Sequence, residues 1–408
     1  NAAVPPNAAV PASAAAPPSA AWPPNGAVPP NAAVPASAAA PWSAAVPPNP
    51  AVPASAAVPP NAAVPASAAA AEREPYFYKG YDYGSQALYG PLWVFLNRGF
   101  DVLQDRTGSR SVFEQEYLHN GENVGRNLLN PFPGISQRGW GRFFREEIFP
   151  LSFTKGTARW VPNYTLHLIG GGVTYTGLTE WFRQNHVPAP RVFSAATVLV
   201  TAFVNETLEN KGVAPYNTDA VADFFFFDIG GILLFSLDWP NEIFSKYLIV
   251  ADWSSQPAFT FPGFDLHNQG NYFSVKLPLP FYPRLRPFAT MGLGTLLGLS
   301  FQIDSQYSIS AGAGTMASRL IRTSDKNADN DVEFAPAAGI FVDRNNSLLA
   351  SLKLTNVQDY FVQFNLYPNA FSIPLGMWAV VDKGGQFVAG LSFTKSFGVG
   401  VGVGQLVR

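Results

Sequence analysis

The last third of this 408-residue chain has a two-residue hydrophobic period, and this pattern constrains the fold more than any other feature. Side chains of a β-strand point alternately to the two faces of its sheet. In the stretch 288–303, one face carries Ala289, Met291, Leu293, Thr295, Leu297, Leu299, Phe301 and Ile303. The other face carries mainly glycine, serine, threonine and glutamine. The pattern predicts strands with one large apolar face and one face of small or neutral residues.

Similar runs, separated by turn signals, continue to residue 397, and we count eight in all. They cover 271–279, 288–303, 307–322, 332–342, 347–356, 360–367, 371–381 and 386–397. A water-soluble antiparallel sheet usually presents charged residues on its solvent face. A narrow closed barrel instead has room only for side chains inside, which suits small neutral residues.

Several runs also reach the ~9–11 residues that a tilted strand needs to cross a bilayer. The sequence therefore predicts an α+β membrane protein. Its residues 251–408 would form an antiparallel transmembrane β-barrel of about eight strands with a short C-terminal tail. A water-soluble barrel or sandwich is the alternative.

In the membrane interpretation, the bulky side chains of the strands face lipid. The predicted lipid-facing residues are Met291, Leu293, Leu297, Phe364, Leu391 and Phe393. Aromatic residues near strand ends would form a girdle at the membrane surface, namely Tyr272, Tyr307, Tyr360, Tyr367 and Trp378. Because about eight strands leave no room for a solute, a porin function is disfavoured.

Residues 1–71 contain no charged residue and 18 of the 37 prolines, and they repeat one decapeptide three times. Frequent proline disfavours helix and favours the polyproline II conformation. We expect a Pro/Ala-rich, low-complexity extended arm that docks on a larger protein assembly, with Trp22 and Trp42 as the partner-binding residues. A flexible linker is the alternative.

Residues 72–250 have helical spacing and are predicted to form a helical domain. Three apolar segments, 164–182, 193–208 and 220–237, approach the ~20 residues that a membrane-spanning helix needs. Each contains carboxylates, which are costly inside a bilayer. We therefore predict helices packed within the protein, with membrane crossing as the alternative.

His167, Glu206 and Asp219 are the candidate catalytic residues of this helical domain. A carboxylate beside His167 would orient the imidazole as a general base, or the set would hold a metal ion. The simpler interpretation is a buried histidine that joins two helices through a hydrogen bond. Asp219 and Asp223 are four residues apart and share a helix face, but Asp219 also fits a helix N-terminus capped by Asn217 or Thr218.

Composition excludes several other classes of protein. A net charge of −2 gives no basic surface, so no nucleic-acid partner is predicted. The absence of cysteine excludes disulfides and thiolate metal sites. With no phosphate loop or nucleophile elbow in the sequence, we predict no cofactor and no metal centre.

The segment Gln386–Phe397 (QFVAGLSFTKSF) resembles the last strand of a bacterial outer-membrane barrel, which commonly ends on an aromatic residue. It departs from that pattern because eleven residues follow Phe397. The resemblance implies the outer membrane of a Gram-negative-type bacterium. Because no secretory signal is visible at Asn1, which is not a start methionine, we expect a mature chain after signal-peptide removal. The helical half is similar to an uncharacterised bacterial family that joins a helical segment to such a barrel, at His167, Glu206, the turn 217–219 and Asp223.

These observations predict an outer-membrane structural or anchoring component, which contacts lipid through its strands and tethers an assembly through residues 1–71. The alternative is a membrane-embedded hydrolase acting on lipids or acyl chains, with its site at His167, Glu206 and Asp219.

Overall fold

The computed structural model describes residues 74–105, 109–150, 163–209, 216–322, 330–357, 359–394, 398–404 and 406. The predicted arm, with Trp22 and Trp42, lies outside the described residues. Secondary structure changes from helix to strand between residues 247 and 251, and the protein is α+β. Both parts belong to one compact unit, residues 69–408.

The helices are short and several contain π-helical turns. They are α1 Pro91–Gly99, α2 Tyr117–Leu129, α3 Phe132–Arg138, α4 Trp140–Phe143, α5 Gly171–Gln184, α6 Pro190–Glu209, α7 Thr218–Ala222, α8 Ile229–Phe235 and α9 Asp238–Glu242. Four π-helical segments adjoin them, Phe144–Ile148, Asn163–Gly170, Asp223–Asp228 and Ile243–Tyr247. Two 3₁₀ turns, Gly84–Ala87 and Asp101–Asp105, flank α1.

Among the described helices, α6 is long and apolar enough to cross a membrane by length and composition, with 44% of its most apolar window buried. A second candidate exists only if the bent pair Thr218–Phe235 and Asp238–Tyr247, which meet at 86°, is taken as one span.

Glycines let the helices approach one another closely. A Cβ at Gly172 would lie 2.1 Å from the Phe235 ring, and one at Gly231 would lie 2.4 Å from the Leu168 carbonyl oxygen. Because neither position has space for a side chain, α8 packs directly against α5 and the segment that precedes it. The chain can therefore bring residues of these helices into direct contact.

A single sheet contains thirteen strands. They are β1 Ala251–Asp252, β2 Ala258–Phe261, β3 Asp265–His267, β4 Phe273–Lys276, β5 Leu285–Met291, β6 Gly294–Gln302, β7 Tyr307–Arg322, β8 Asn330–Arg344, β9 Ser347–Thr355, β10 Val362–Leu366, β11 Leu375–Val381, β12 Phe387–Phe393 and β13 Gly400–Gly404. Their order is β1-β4-β5-β6-β7-β8-β9-β10-β11-β12-β13-β2-β3. All pairs are antiparallel except β13 with β2.

The sheet differs from the predicted eight-stranded closed barrel in three ways. Its strand order is open, with β1 and β3 at the two ends. The run 288–303, predicted as one strand, is a hairpin of β5 and β6 that turns at Gly292 and Leu293. The predicted C-terminal tail contains β13, which pairs with both β12 and β2. These differences arise because alternation continues across a tight turn and cannot mark where the chain reverses.

Two adjacent rows of cross-strand partners show the character of the two faces. The outer row runs Leu299, Ala311, Ile340, Leu352, Phe364, Ala379, Ala389, Val403 and Phe261. The inner row runs Ser300, Ser310, Phe341, Ser351, Asn365, Trp378, Gly390, Gly402 and Thr260. Leu299, Ile340 and Val403 are 55%, 50% and 65% exposed, whereas Ser310 and Asn365 are fully buried.

Polar side chains of the inner face bond to the stretches that connect β1 to β2 and β3 to β4. Gln256 Nε2 donates to Asn365 Oδ1 at 3.2 Å, Asn268 Nδ2 donates to the same oxygen at 2.7 Å, and Gln363 Nε2 donates to Asn268 Oδ1 at 2.7 Å. The buried pair Lys276 Nζ and Asp343 Oδ1 adds an ion pair at 2.5 Å. The inner face thus buries bonded polar groups beside large apolar side chains such as Leu296 and Phe341.

The predicted aromatic girdle is wrong for four of its five residues. Tyr272, Tyr360, Tyr367 and Trp378 are at most 6% exposed and belong to the protein interior. Trp378 lies in the inner row beside Gly390, and the Tyr367 hydroxyl donates to the Ser254 carbonyl oxygen at 2.7 Å. Tyr307 alone of the five is half-buried.

Candidate functional site

The helical region brings one histidine and two carboxylates together. His167 lies in the π-helical segment Asn163–Gly170, Glu206 in the last turn of α6, and Asp223 at the start of the segment Asp223–Asp228. One potential ligand atom from each lies within 4.8 Å of the others. Two of the three residues come from π-helical segments, which are frequent at functional sites.

Asp228 fixes the orientation of the histidine. Its Oδ2 lies 3.2 Å from His167 Nδ1, while its Oδ1 accepts a hydrogen bond from Arg98 Nη2. Arg98 in turn donates from Nη1 to the Leu166 carbonyl oxygen at 2.9 Å. Since a carboxylate only accepts, Nδ1 of the neutral imidazole donates to it and Nε2 keeps a free lone pair. Gly171 lies close to this ion pair, since a Cβ there would be 3.1 Å from Arg98 Nη2, tighter than an ordinary contact.

Burial controls the electrostatics of the two carboxyl groups. Glu206 is 3% and Asp223 is 5% exposed. Desolvation raises the pKa of Glu206 well above its usual value, with a further increase from Glu209, Asp219 and Asp228. Desolvation also raises the pKa of Asp223, and Asp219 and Glu206 add to the effect. In the absence of a bound cation the pair therefore retains a proton more readily than free carboxyl groups do.

A further buried carboxyl group flanks the cluster. Asp101 accepts a hydrogen bond at 2.7 Å from Nδ2 of Asn205, the neighbour of Glu206. Desolvation raises the pKa of Asp101 to about 7, although Arg98 opposes that increase. Acidic groups thus accumulate around the guanidinium of Arg98.

The structure brings His167 and Glu206 together, as the sequence predicts, but it replaces Asp219 by Asp223. Asp219 lies in the first turn of α7. The N-cap of this helix is Asn217, whose Oδ1 accepts a hydrogen bond from the Ala220 backbone N–H at 3.2 Å. The capping interpretation is therefore confirmed for Asn217 rather than Thr218. Asp223 lies one turn further on, where the helix enters the interior and can face His167.

Arg98 and Asp228 were missed as site residues. Both carry a detectable signal, since each is a charged residue inside an apolar segment, LWVFLNRGF for Arg98 and FFFFDIGGILLF for Asp228. A charge in such surroundings needs a partner. The sequence does not indicate that these two residues are partners of each other, because 130 positions separate them.

The predicted lipid-facing residues lie on the outer face of the sheet. Leu297 is 64%, Phe364 39%, Leu391 38% and Phe393 39% exposed. Met291 and Leu293, at the turn between β5 and β6, are half-buried. The outer face of the sheet is therefore a second candidate functional surface.

Comparison of the chain with family models, with curated proteins and with solved structures found no match. The site is therefore interpreted from its own chemistry.

Proposed function

We propose that this protein is a membrane-anchored structural component: its sheet lies in the outer membrane with the outer face in lipid, and it holds the helical domain at the membrane. The observation that carries the proposal is the distribution of apolar and polar side chains between the two faces of the sheet. Large apolar side chains are exposed on one face, while the other face buries hydroxyl, amide and charged side chains together with rings such as Phe341 and Trp378.

The exposed outer face of the sheet is more apolar than the surface of a soluble monomer usually is. On strands β6 to β13 it includes Leu297, Leu299, Phe301, Ile309, Phe334, Ile340, Leu352, Leu354, Phe364, Met377, Phe387, Leu391, Phe393, Val401 and Val403, each at least 37% exposed. Contiguous apolar patches on soluble monomers rarely exceed a few hundred Å², and larger ones mark protein or membrane contacts. A face that continues over eight neighbouring strands suits the surrounding lipid better than a single protein partner.

Strand edges must be paired inside a bilayer, since unsatisfied backbone groups cost several kcal/mol there. We propose that the sheet closes through the hairpin 251–276. Two features support this closure. First, β1 continues into β2 and β3 into β4, and the pairs Ala251↔Ser274 and Ala258↔His267 follow the same antiparallel register. Second, backbone hydrogen bonds bridge the residues in between. Between the two pairs, Trp253 N–H donates to Tyr272 O at 2.8 Å and Ser255 N–H to Gly270 O at 3.0 Å.

Contacts between the two regions support the anchoring role. Gly84 N–H donates to Pro368 O at 2.9 Å, and Ser347 Oγ donates to Tyr83 O at 2.8 Å. The Asn97 side chain bonds to the hairpin through Gly270 N–H at 2.9 Å. A sheet held in the membrane would therefore fix the position of the helices, and residues 1–71 would tether the assembly that the protein serves.

Single-cysteine labelling tests this proposal cleanly, because the chain contains no cysteine. An environment-sensitive fluorophore is attached to Leu297→Cys on the outer face or to Ser305→Cys in the exposed turn after β6, in protein reconstituted into vesicles. We expect lipid-borne quenchers to act on the first label and aqueous iodide to act on the second. Equal quenching of both labels by iodide would refute the proposal.

Gel migration tests the closure separately. A closed transmembrane barrel resists unfolding in detergent until it is boiled, so boiled and unboiled samples should migrate differently. Identical migration of boiled and unboiled vesicle-inserted protein would contradict closure through the hairpin. Contact of the outer face with lipid is tested by the labelling experiment alone.

A hydrolase acting on lipids or acyl chains is the second candidate, favoured by the close approach of His167 and Glu206. An oriented imidazole beside a carboxylate can act as a general base. His167→Ala distinguishes the two functions: loss of lipid hydrolysis at unchanged thermal stability supports the enzyme, whereas lowered stability without a lost activity supports the structural component.

A further inference from the structure

The cluster of His167, Glu206 and Asp223 has the composition and spacing of a metal site. Zinc binds histidine nitrogen and carboxylate oxygen at about 2.0–2.2 Å, so two of its ligands are at most about 4.4 Å apart. The three ligand atoms lie within 4.8 Å of one another. Small side-chain movements would therefore bring all three into the coordination sphere of one ion.

An unpartnered oxygen points independently to a ligand. Asp223 is 5% exposed, yet its Oδ1 has no hydrogen-bond partner among the described residues. A buried carboxylate oxygen without a partner is costly. A bound cation would satisfy it.

The surroundings of His167 match those of a metal-binding histidine. Such a histidine usually donates its second ring N–H to a carboxylate or carbonyl, which fixes the ring and the tautomer. Asp228 accepts from Nδ1 in this way and leaves Nε2 available to coordinate an ion. The positive charge of Arg98 is paired with the Asp228 carboxylate and neutralises it.

Among the described residues, the carboxylates of Glu206 and Asp223 have no cationic side chain paired with them. Among the ion pairs formed by described residues, none involves Glu206 or Asp223. A divalent ion would neutralise both. We propose that His167, Glu206 and Asp223 bind one divalent transition-metal ion of the Zn²⁺ or Mn²⁺ kind, whether or not the sheet lies in a membrane.

The ligand types narrow the choice of ion. One imidazole with two carboxylates suits Zn²⁺, Mn²⁺ or Fe²⁺, whereas Ca²⁺ and Mg²⁺ prefer oxygen ligands alone. Three protein ligands leave a coordination position for water or another molecule. That arrangement is typical of catalytic rather than structural zinc sites.

Metal titration of the untagged full-length chain in detergent, after chelation and desalting, tests the proposal. Zn²⁺ and Mn²⁺ are added separately and followed by calorimetry, and retained metal is measured by mass spectrometry. We expect about one equivalent for at least one of the two ions. Glu206→Gln and Asp223→Asn should each weaken binding at least 100-fold, and Asp228→Asn by about 10–100-fold, because it acts through the histidine.

Asp219→Asn is the matched control, since it removes a nearby carboxylate that lies outside the cluster. Its affinity should stay within about threefold of the wild-type value. Thermal unfolding separates binding from folding: all variants should unfold cooperatively without metal. The same added metal concentration should raise Tm fully in the wild type and Asp219→Asn, less in Asp228→Asn, and least in Glu206→Gln and Asp223→Asn. If the wild type retains neither ion, or if Asp219→Asn loses binding as severely as Asp223→Asn, the assignment is wrong.

Discussion

The helical region and the sheet bury polar groups in different ways. The polar groups inside the sheet include amides that bond to one another, as in Gln363, Asn268 and Asn365, and a balanced ion pair of Lys276 with Asp343. The helical region instead buries the carboxyl groups of Asp101, Glu206, Asp223 and Asp228, of which Asp228 is paired with Arg98. A neutral network can serve structure alone, whereas a buried excess of acid is unfavourable unless it binds something. This difference is the basis on which we propose anchoring for the sheet and metal binding for the helices.

The largest expected effect tests whether Arg98 holds the acidic cluster together. Arg98→Met would leave Asp228 buried without its cation and should lower the free energy of unfolding by about 3–5 kcal/mol. The exposed pair Arg126 and Glu122, with nitrogen and oxygen 3.3 Å apart, provides the control. Arg126→Ala should cost less than about 0.5 kcal/mol. Urea unfolding measures both.

The double variant Arg98→Met with Asp228→Asn should recover part of the lost stability, because the charge that lacks a partner is removed as well. If the single variant Arg98→Met is as stable as Arg126→Ala, the contrast between the two regions does not hold.

The next effect concerns the outer face of the sheet. Leu352→Arg places a charge in the middle of the outer row, where Leu352 is 39% exposed. In lipid this should cost about 2–4 kcal/mol. In water, a surface substitution usually changes stability by less than about 0.5 kcal/mol. Unfolding in vesicles compares this variant with Ser305→Arg, which should be neutral; equal stability of the two would argue against lipid contact.

The last prediction is a pH dependence at Asp101. Because its pKa is about 7 in the folded protein and its usual value is 3.8, the folded protein holds a proton that the unfolded chain has released between these two pH values. The stability contributed by this group is full below about pH 4 and is lost as pH rises to about 7.

Asp101→Asn removes the titrating group while keeping an acceptor for Asn205. Its unfolding free energy should change less than that of the wild type between pH 4 and 8. A wild-type and a variant curve of the same slope would show that Asp101 does not carry this dependence.

Local pattern explains why some predictions hold. Strand alternation places Leu297 and Phe364 on one face and Ser300 and Asn365 on the other, wherever the strands pair. The carboxylates Glu206 and Asp223, which interrupt two of the apolar segments, are buried in the protein. The strand count could not be read in this way, because the tight turn at Gly292 does not interrupt the alternation.

The sequence by itself determined the α+β class, the side of each strand that carries the large apolar residues, and the presence of His167 and Glu206 in apolar helices. Only the tertiary structure decided that Asp223 rather than Asp219 joins them, that Asp228 and Arg98 orient the histidine, and that β13 pairs with β2. The reason is physical: side-chain alternation and helix periodicity are fixed by neighbouring residues, whereas the meeting of residues 98, 167, 206 and 228 depends on helix packing over long separations along the chain.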